Sequence, residues 1–442
     1  MGAFLLELKG VCKSHKLLAL VLILILLQLV MFQQALDDGR IQETTRVANL
    51  KNTNLGESRL RTLDTYWEEG ILATSQEHYD EARQFYQHMS AVEESRYQAY
   101  IAGDWPAYSR GEAQWRIFGW QYEWRNFTPT PQEFFGDAWP EIQAKLELPE
   151  YNMDHTPLAS GRLDGKGIRT TSSFYYLALM DTGLPPYSPN STEPWAFLFN
   201  FLRTGLPTLL GIIVLLLTVN LLHRDRDSGV IKTQLATPRS RWRYLLRKLA
   251  LGAGASIVAL VLALFPMGIL LGIRHGFRGL NHPVLLDKYS LVHATVHPNR
   301  VDAPGLWGVG LNQIPLHVQP EYLEHQEFIP LWQFLALAAA MLLLFILFCT
   351  VLGLLISILV KNEVVAHVVA GLVFVAGTAL GTAFPQLSTS PWDFFARANV
   401  VPLLEGNQAA TYLAGIAALM GATILLFSVA TMIFRRQDIS SN

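Results

Sequence analysis

Six apolar runs, over about residues 17–36, 198–222, 249–273, 332–360, 364–387 and 410–434, constrain this chain more than any other feature. A helix rises about 1.5 Å per residue, so crossing a hydrocarbon core about 30 Å thick takes roughly 20 residues. Each run meets that length. The reading is an all-α membrane protein with six transmembrane helices. The first run is read as an uncleaved span: apolar character continues from Leu17 to Phe32, and Gln33-Gln34-Ala35-Leu36-Asp37-Asp38 lacks a small-x-small cleavage site. Arg203 lies just inside the second run. An Arg at the bilayer centre costs about 2.5–3.5 kcal/mol on insertion scales, so an interfacial position with the guanidinium snorkelling outward is expected.

Basic residues in short loops set the orientation. Lys9, Lys13 and Lys16 precede the first span, the loop 223–248 joins the second and third, Lys361 separates the fourth and fifth, and Arg435 and Arg436 follow the sixth. Six crossings put all of these on one side, the cytoplasm, together with both termini. Residues 37–197, 274–331 and 388–409 then lie outside. The domain plan is an amphipathic cytoplasmic interface helix (1–16), a first span (17–36), an extracellular domain (37–197) and two spans (198–273) carrying the loop 223–248. An extracellular loop (274–331) and three spans with a short tail (332–442) complete it.

The net charge of −2 over 442 residues gives no reason to expect nucleic acid as a partner. Two cysteines, Cys12 and Cys349, cannot form a disulfide framework for the outer domain, which has none. That domain reads as mostly helical. Leu36, Val47, Leu50, Leu60, Leu63 and Trp67 extend a helical period out of the first span, a Pro-free stretch runs from about Ser75 to Ile101, and helices are expected near 132–146 and 170–180. Trp115, Trp120 and Trp124, bunched with Phe118, Tyr122 and Phe127, could hold a peptide or lipid tail, but such a cluster is more often the core of a small helical domain. Between the last two spans, Pro391 to Pro402 mixes Trp392, Phe394 and Phe395 with Asp393 and Arg397, as expected of a helix at the outer interface.

Catalytic and metal motifs fail on inspection. Gly161-Arg-Leu-Asp-Gly165-Lys166-Gly167 is one residue short of a phosphate-binding loop and has Gly167 where Ser or Thr would hold magnesium, so it reads as a turn. His275, His282, His293, His297, His317 and His325 crowd the second outer loop. His293 and His297 have helical spacing, but Pro298 follows at once and no His-Glu-x-x-His occurs, so these are read as exposed loop residues. His367, near the cytoplasmic end of its span, is expected to hydrogen-bond locally.

The loop 223–248 remains. It carries Arg224, Arg226, Lys232, Arg239, Arg241, Arg243, Arg247 and Lys248 against Asp225 and Asp227. Asp225, Asp227 and Ser228 are expected at the start of a helix, where carboxylates meet the positive dipole end. Gly229 permits close backbone approach, Thr237-Pro238 breaks the helix, and Trp242 and Tyr244 return to the interface. An ordinary positive-inside loop would carry the same charge; the order of features separates the readings. Asp225-Arg-Asp-Ser-Gly229, then Leu235-Ala-Thr-Pro238, then Ser240-Arg-Trp-Arg-Tyr-Leu-Leu-Arg-Lys248 resembles the first cytoplasmic loop of ABC type-2 exporter permeases. Aspartates stand where that family usually has glutamate, Val230 where it has Thr, and Arg247 where it has Gly.

The resemblance implies a non-catalytic permease subunit in the cell membrane that moves a hydrophobic or amphipathic substrate (peptide, drug or lipid) outward. It implies a cytoplasmic ABC ATPase as partner, holding the ATP and magnesium that this chain does not bind, and a second permease copy or sister permease beside it in the bilayer. Docking would fall on Arg224, Asp225, Asp227, Gly229, Thr233, Leu235 and Pro238. The alternative is a membrane-anchored sensor or scaffold that binds a ligand through its extracellular domain.

Overall fold

The computed structural model describes residues 15–71, 75–123, 137, 139–148, 166–229, 231, 241–293, 306–315, 326–383, 393–408 and 410–436. Among them four helices are long and apolar enough to cross a membrane, or five if one bent pair counts as a single crossing. The first, α1 (His15–Asn52), continues without interruption from the first apolar run into the polar region, as its periodicity predicts. The helical domain follows as α2 (Leu55–Glu68), α3 (Gln76–Ala102), α4 (Trp105–Glu123), α5 (Trp139–Leu146) and α6 (Lys166–Met180). Residues 1–14 of the interface helix expected over 1–16, and the near-miss loop before Lys166, lie outside the described residues.

Local signals account for the domain's longest helix. Ser75 caps α3 by accepting from the His78 N–H at 3.3 Å, and Gly103 ends it at φ +71°. One face of α3 buries Phe85, Tyr86, Met89 and Val92 in a core that also holds Tyr108 and Ile117 of α4 and Tyr175 and Leu179 of α6. A charged belt crosses this core. Glu93 accepts from the Gly56 N–H at 3.1 Å and from the Trp115 indole at 3.0 Å, while Glu112 pairs with Arg96 and Arg116. The Arg96 guanidinium lies 4.4 Å from the centre of the Trp115 ring. Trp115 thus packs half-buried against the domain core, held by Glu93 and Arg96. Trp124 lies outside the described residues; Trp120 falls within α4, with its side chain outside the description.

The second crossing is broken. α7 (Pro194–Asn200) passes through a π-helical turn at Phe201–Gly205 into α8 (Leu206–Asp227), with a 75° bend between the two arms. Pro207 has no N–H to donate to the Arg203 carbonyl one turn back, so the ladder is interrupted where the bend occurs. The remaining long helices are α9 (Arg241–His275), α11 (Leu331–Leu359) and α14 (Tyr412–Arg436). α12 (Glu363–Ala383) occupies the expected fifth run, but its described apolar stretch, Glu363–Ala379, is shorter than a full crossing. In α12 the His367 ring stays local, its Nδ1 2.7 Å from the Glu363 carbonyl. α8 and α11 pack tightly: a Cβ on Gly353 would lie 2.0 Å from Thr218 Oγ1.

Two small sheets lie between the helical domain and the bundle, a feature the sequence reading did not include. β1 (Pro283–Asp287) pairs antiparallel with β4 (Gln326–Pro330), and β2 (Leu306–Val309) with β3 (Asn312–Pro315). α10 (Lys288–Val292) follows β1 directly. Successive β1 side chains point to opposite faces. Val284 and Leu286 join the apolar core of the spans, whereas Leu285 joins that of the helical domain. One strand thus ties the two cores together.

The histidine expectation needs correction at this junction. His275 and His293 are exposed, but His282 is fully buried beneath Tyr187, with ring centres 4.3 Å apart. Its Nε2 lies 3.2 Å from the Tyr175 hydroxyl and accepts from the Tyr187 N–H at 3.4 Å. An aromatic lid makes a neutral imidazole affordable where a charged one is not. His297, His317 and His325 lie outside the described residues.

Burial pushes His282 from an ordinary 6.5 down to about 3. A depressed histidine contributes stability that is complete above its unfolded pKa and is lost as pH falls toward the folded value. The wild-type chain is expected to lose thermal stability between about pH 6.5 and about pH 4, and His282→Asn to lose distinctly less over the same interval. Melting in detergent across that range measures the difference; parallel losses would remove His282 as the cause.

The segment before the last crossing also departs from expectation. In place of an interfacial helix, a 3-10 turn at Phe395–Ala398 leads into α13 (Val400–Leu404). Phe394 and Phe395 turn inward onto Phe345, Phe348 and Phe374, and Arg397 is buried. Aromatic packing against neighbouring helices outcompetes anchoring at the surface. Trp392 lies outside the described residues.

Candidate functional site

The charged loop begins where α8 leaves the bundle. The helix does not start at Asp225, as the sequence reading expected; it ends at Asp227. Ser228 N–H donates to the Arg224 carbonyl and Gly229 N–H to that of Arg226, both at 3.1 Å, and Gly229 adopts φ +68°. This is a glycine-terminated helix end. The apolar run simply continues its helical period into Arg-Asp-Arg-Asp until Gly229 breaks it. Arg224 and Arg226 suit the negative end of the helix dipole, and the two aspartates do not.

Asp225 is accordingly neutralised from the neighbouring helix. Its Oδ2 lies 2.6 Å from Lys248 Nζ and accepts from the Tyr244 hydroxyl at 2.6 Å, both on α9. Lys248 is almost completely buried. Tyr244 stacks on Phe434 of α14, with centroids 5.8 Å apart. On the other side of α8, His223 Nδ1 lies 2.8 Å from Ser357 Oγ, and Arg226 donates to the Ser357 carbonyl at 2.9 Å. Arg241 donates to the last carbonyls of α14, Phe434 at 3.2 Å and Arg435 at 2.7 Å. Four helices are fastened at this end by polar contacts around a core that includes Leu222, Ile231, Leu245 and Ile358.

The expected docking residues therefore divide. Asp225 faces inward and holds α8 to α9. Arg224 and Asp227 are exposed beside it, and Gly229 forms the turn. Thr233, Leu235 and Pro238 lie outside the described residues. Sequence reasoning missed Tyr244, Lys248 and Ser357 as partners. Lys248 carried a usable signal: a lysine at the head of an apolar run needs a counter-charge if it is buried, and Asp225 sits at the corresponding level of the preceding helix.

A second ionic site lies at the opposite end of the bundle and corrects the reading of Arg203. Arg203 does not snorkel; it is buried in the π-helical turn and paired with the buried Glu405. It also donates to the Leu311 carbonyl at 2.8 Å and lies 5.0 Å from the Phe199 ring centre. Glu405 accepts from Asn312 Nδ2 at 2.8 Å and from Asn407 Nδ2 at 3.3 Å. Asn312 also bridges to β1, accepting from the Leu285 N–H at 2.8 Å. Among the described residues no group of three or more His, Cys, Asp or Glu has metal-holding geometry.

One site is a fastened helix end that presents exposed charge, and the other a buried brace across the bent crossing. Two family models match the chain, each described as ABC-2 family transporter protein, one over residues 185–427 and the other over 3–294. No curated protein and no solved structure matches it.

Proposed function

Because this chain belongs to the ABC-2 family of transporter proteins, as a multi-pass membrane subunit, we propose that it is the permease of an exporter driven by separate cytoplasmic ATPase subunits. The observation that carries this reading is the fastened end of α8. Asp225, Lys248, His223, Arg226 and Ser357 tie the helix to α9 and α11, while Arg224 and Asp227 stay exposed next to the loop. A push delivered to that loop would move a braced set of helices and not a frayed terminus. The loop then lies in the cytoplasm, the helical domain outside, and a second copy or sister permease completes the translocation path. The cargo is hydrophobic or amphipathic: a peptide, drug or lipid. In this reading ATP and magnesium stay with the partner.

Purification of the full chain from its native membrane in mild detergent tests the partnership. Recovery of an ABC ATPase at one copy per permease is the expected result. Its absence from preparations in which the permease remains folded would favour a membrane sensor.

A further inference from the structure

Where the helical domain meets the bundle, a cavity of about 650 Å³ opens between the upper part of α1, the 185–193 segment and the end of α9. It lies at the end of the spans opposite the charged loop. Three of its lining residues are arginines, Arg40, Arg46 and Arg274, and two are carboxylates, Glu43 and Glu193. Glu43 is already engaged, accepting from the Tyr100 hydroxyl. Glu193 lines the cavity wall as a half-buried carboxylate, and its Oε2 has no hydrogen-bond partner among the described residues. Arg40 and Arg274 are exposed, and neither forms an ion pair among the described residues. The site therefore offers two guanidinium forks with no ion pair among the described residues, and one half-buried carboxylate, in a single cavity.

The apolar surroundings narrow the ligand. Ala35 and Leu36 line the same cavity. Towards the membrane, α1 exposes Leu26, Leu29 and Val30, and α9 exposes Leu270 and Ile273. The two helices are in contact there, with Gln28 Nε2 donating to the Ala263 carbonyl at 3.1 Å. Two helices with apolar outer surfaces thus lead up to a polar chamber. We propose that this cavity binds the headgroup of a phospholipid that carries both a phosphate and a primary ammonium, with its acyl chains against the apolar outer surfaces of α1 and α9. The phosphate meets Arg40 and Arg274, whose planar forks match its oxygens. The ammonium pairs with the Glu193 carboxylate of the cavity wall and donates N–H to it. A trimethylated ammonium has no such donor, and a glycerol headgroup has no cation. The site follows from this chemistry whether the lipid is carried or retained.

The test uses the full chain in detergent, equilibrated with mixed vesicles holding equal amounts of phosphatidylethanolamine, phosphatidylcholine and phosphatidylglycerol. Retained lipid is then identified by native mass spectrometry. Phosphatidylethanolamine is expected to be enriched over phosphatidylcholine by about tenfold, the worth of one charge-assisted hydrogen bond. Glu193→Ala should erase that enrichment while keeping bound phospholipid. Arg40→Ala with Arg274→Ala, both at exposed positions, should strip phospholipid of every class without changing the melting temperature. Equal retention of the two zwitterionic lipids, a preference for phosphatidylglycerol, or unchanged enrichment in Glu193→Ala would each overturn the proposal. So would displacement of the lipid by soluble phosphoethanolamine, which would make a free phosphate ester the ligand.

Discussion

Replacing Arg203 with methionine is expected to destabilise the protein by about 3–5 kcal/mol, because Glu405 would be left charged and buried with its counter-ion gone. Glu405→Met should cost a similar amount by stranding the guanidinium. The double replacement should recover much of the loss, since two apolar side chains remove both uncompensated charges at once. Asn312 and Asn407 would still have other partners, the Leu285 and Gln313 backbones. Unfolding by denaturant in micelles, followed by intrinsic fluorescence, reads all three variants. Single variants that unfold at the wild-type midpoint would mean that water or lipid headgroups screen the pair. The consequence is also mechanical. The ion pair joins the π-helical turn of the bent crossing to the segment after α13, and Asn312 carries the linkage on to β1. Since β1 inserts Leu285 into the helical domain, loss of the brace should loosen the domain from the bundle.

The chain's architecture was legible wherever hydrophobic period and capping chemistry act locally. The continuation of α1 past the membrane, Ser75 at the head of α3 and the helical nature of the domain all follow from spacing of residues along one helix. The errors arise where distant residues decide. Arg203 looked interfacial because an isolated guanidinium in lipid is costly; Glu405, 202 positions away, removes that cost. His282 looked like an exposed loop residue because nothing near it in sequence announces the covering rings of Tyr187 and Tyr175. Phe394 and Phe395 carry the composition of a surface anchor, yet the nearby Phe345, Phe348 and Phe374 offer better packing. The two small sheets escaped notice because four- and five-residue strands give almost no periodic signal. At the charged loop the composition was informative but the helix polarity was misjudged, since Arg-Asp-Arg-Asp is compatible with either end of a helix until the preceding apolar run is seen to continue into it.

Asp225 and Asp227, alike in sequence, are expected to respond in opposite ways. Asp225→Ala removes the carboxylate paired with the buried Lys248 ammonium and the acceptor of the Tyr244 hydroxyl. That should cost about 3–5 kcal/mol and lower the yield of folded protein. Asp225→Ala with Lys248→Met should restore much of it. Asp227 and Arg224 are exposed on the last turn of α8, so replacing both by alanine should change stability by no more than about 0.5 kcal/mol. If the loop receives the ATPase, that stable pair of substitutions should weaken binding of the ATPase subunit by about tenfold, since exposed charged contacts at an interface are worth about 1 kcal/mol or slightly more. The folded-protein yield and melting temperature measure the first effect, and titration of the purified ATPase onto reconstituted permease measures the second. A stable Arg224→Ala, Asp227→Ala chain that binds and stimulates the ATPase as the wild type does would exclude this surface from docking. The Asp225–Lys248 contact would then remain as what ties α8 to α9, with force from ATP hydrolysis entering through residues beyond Gly229.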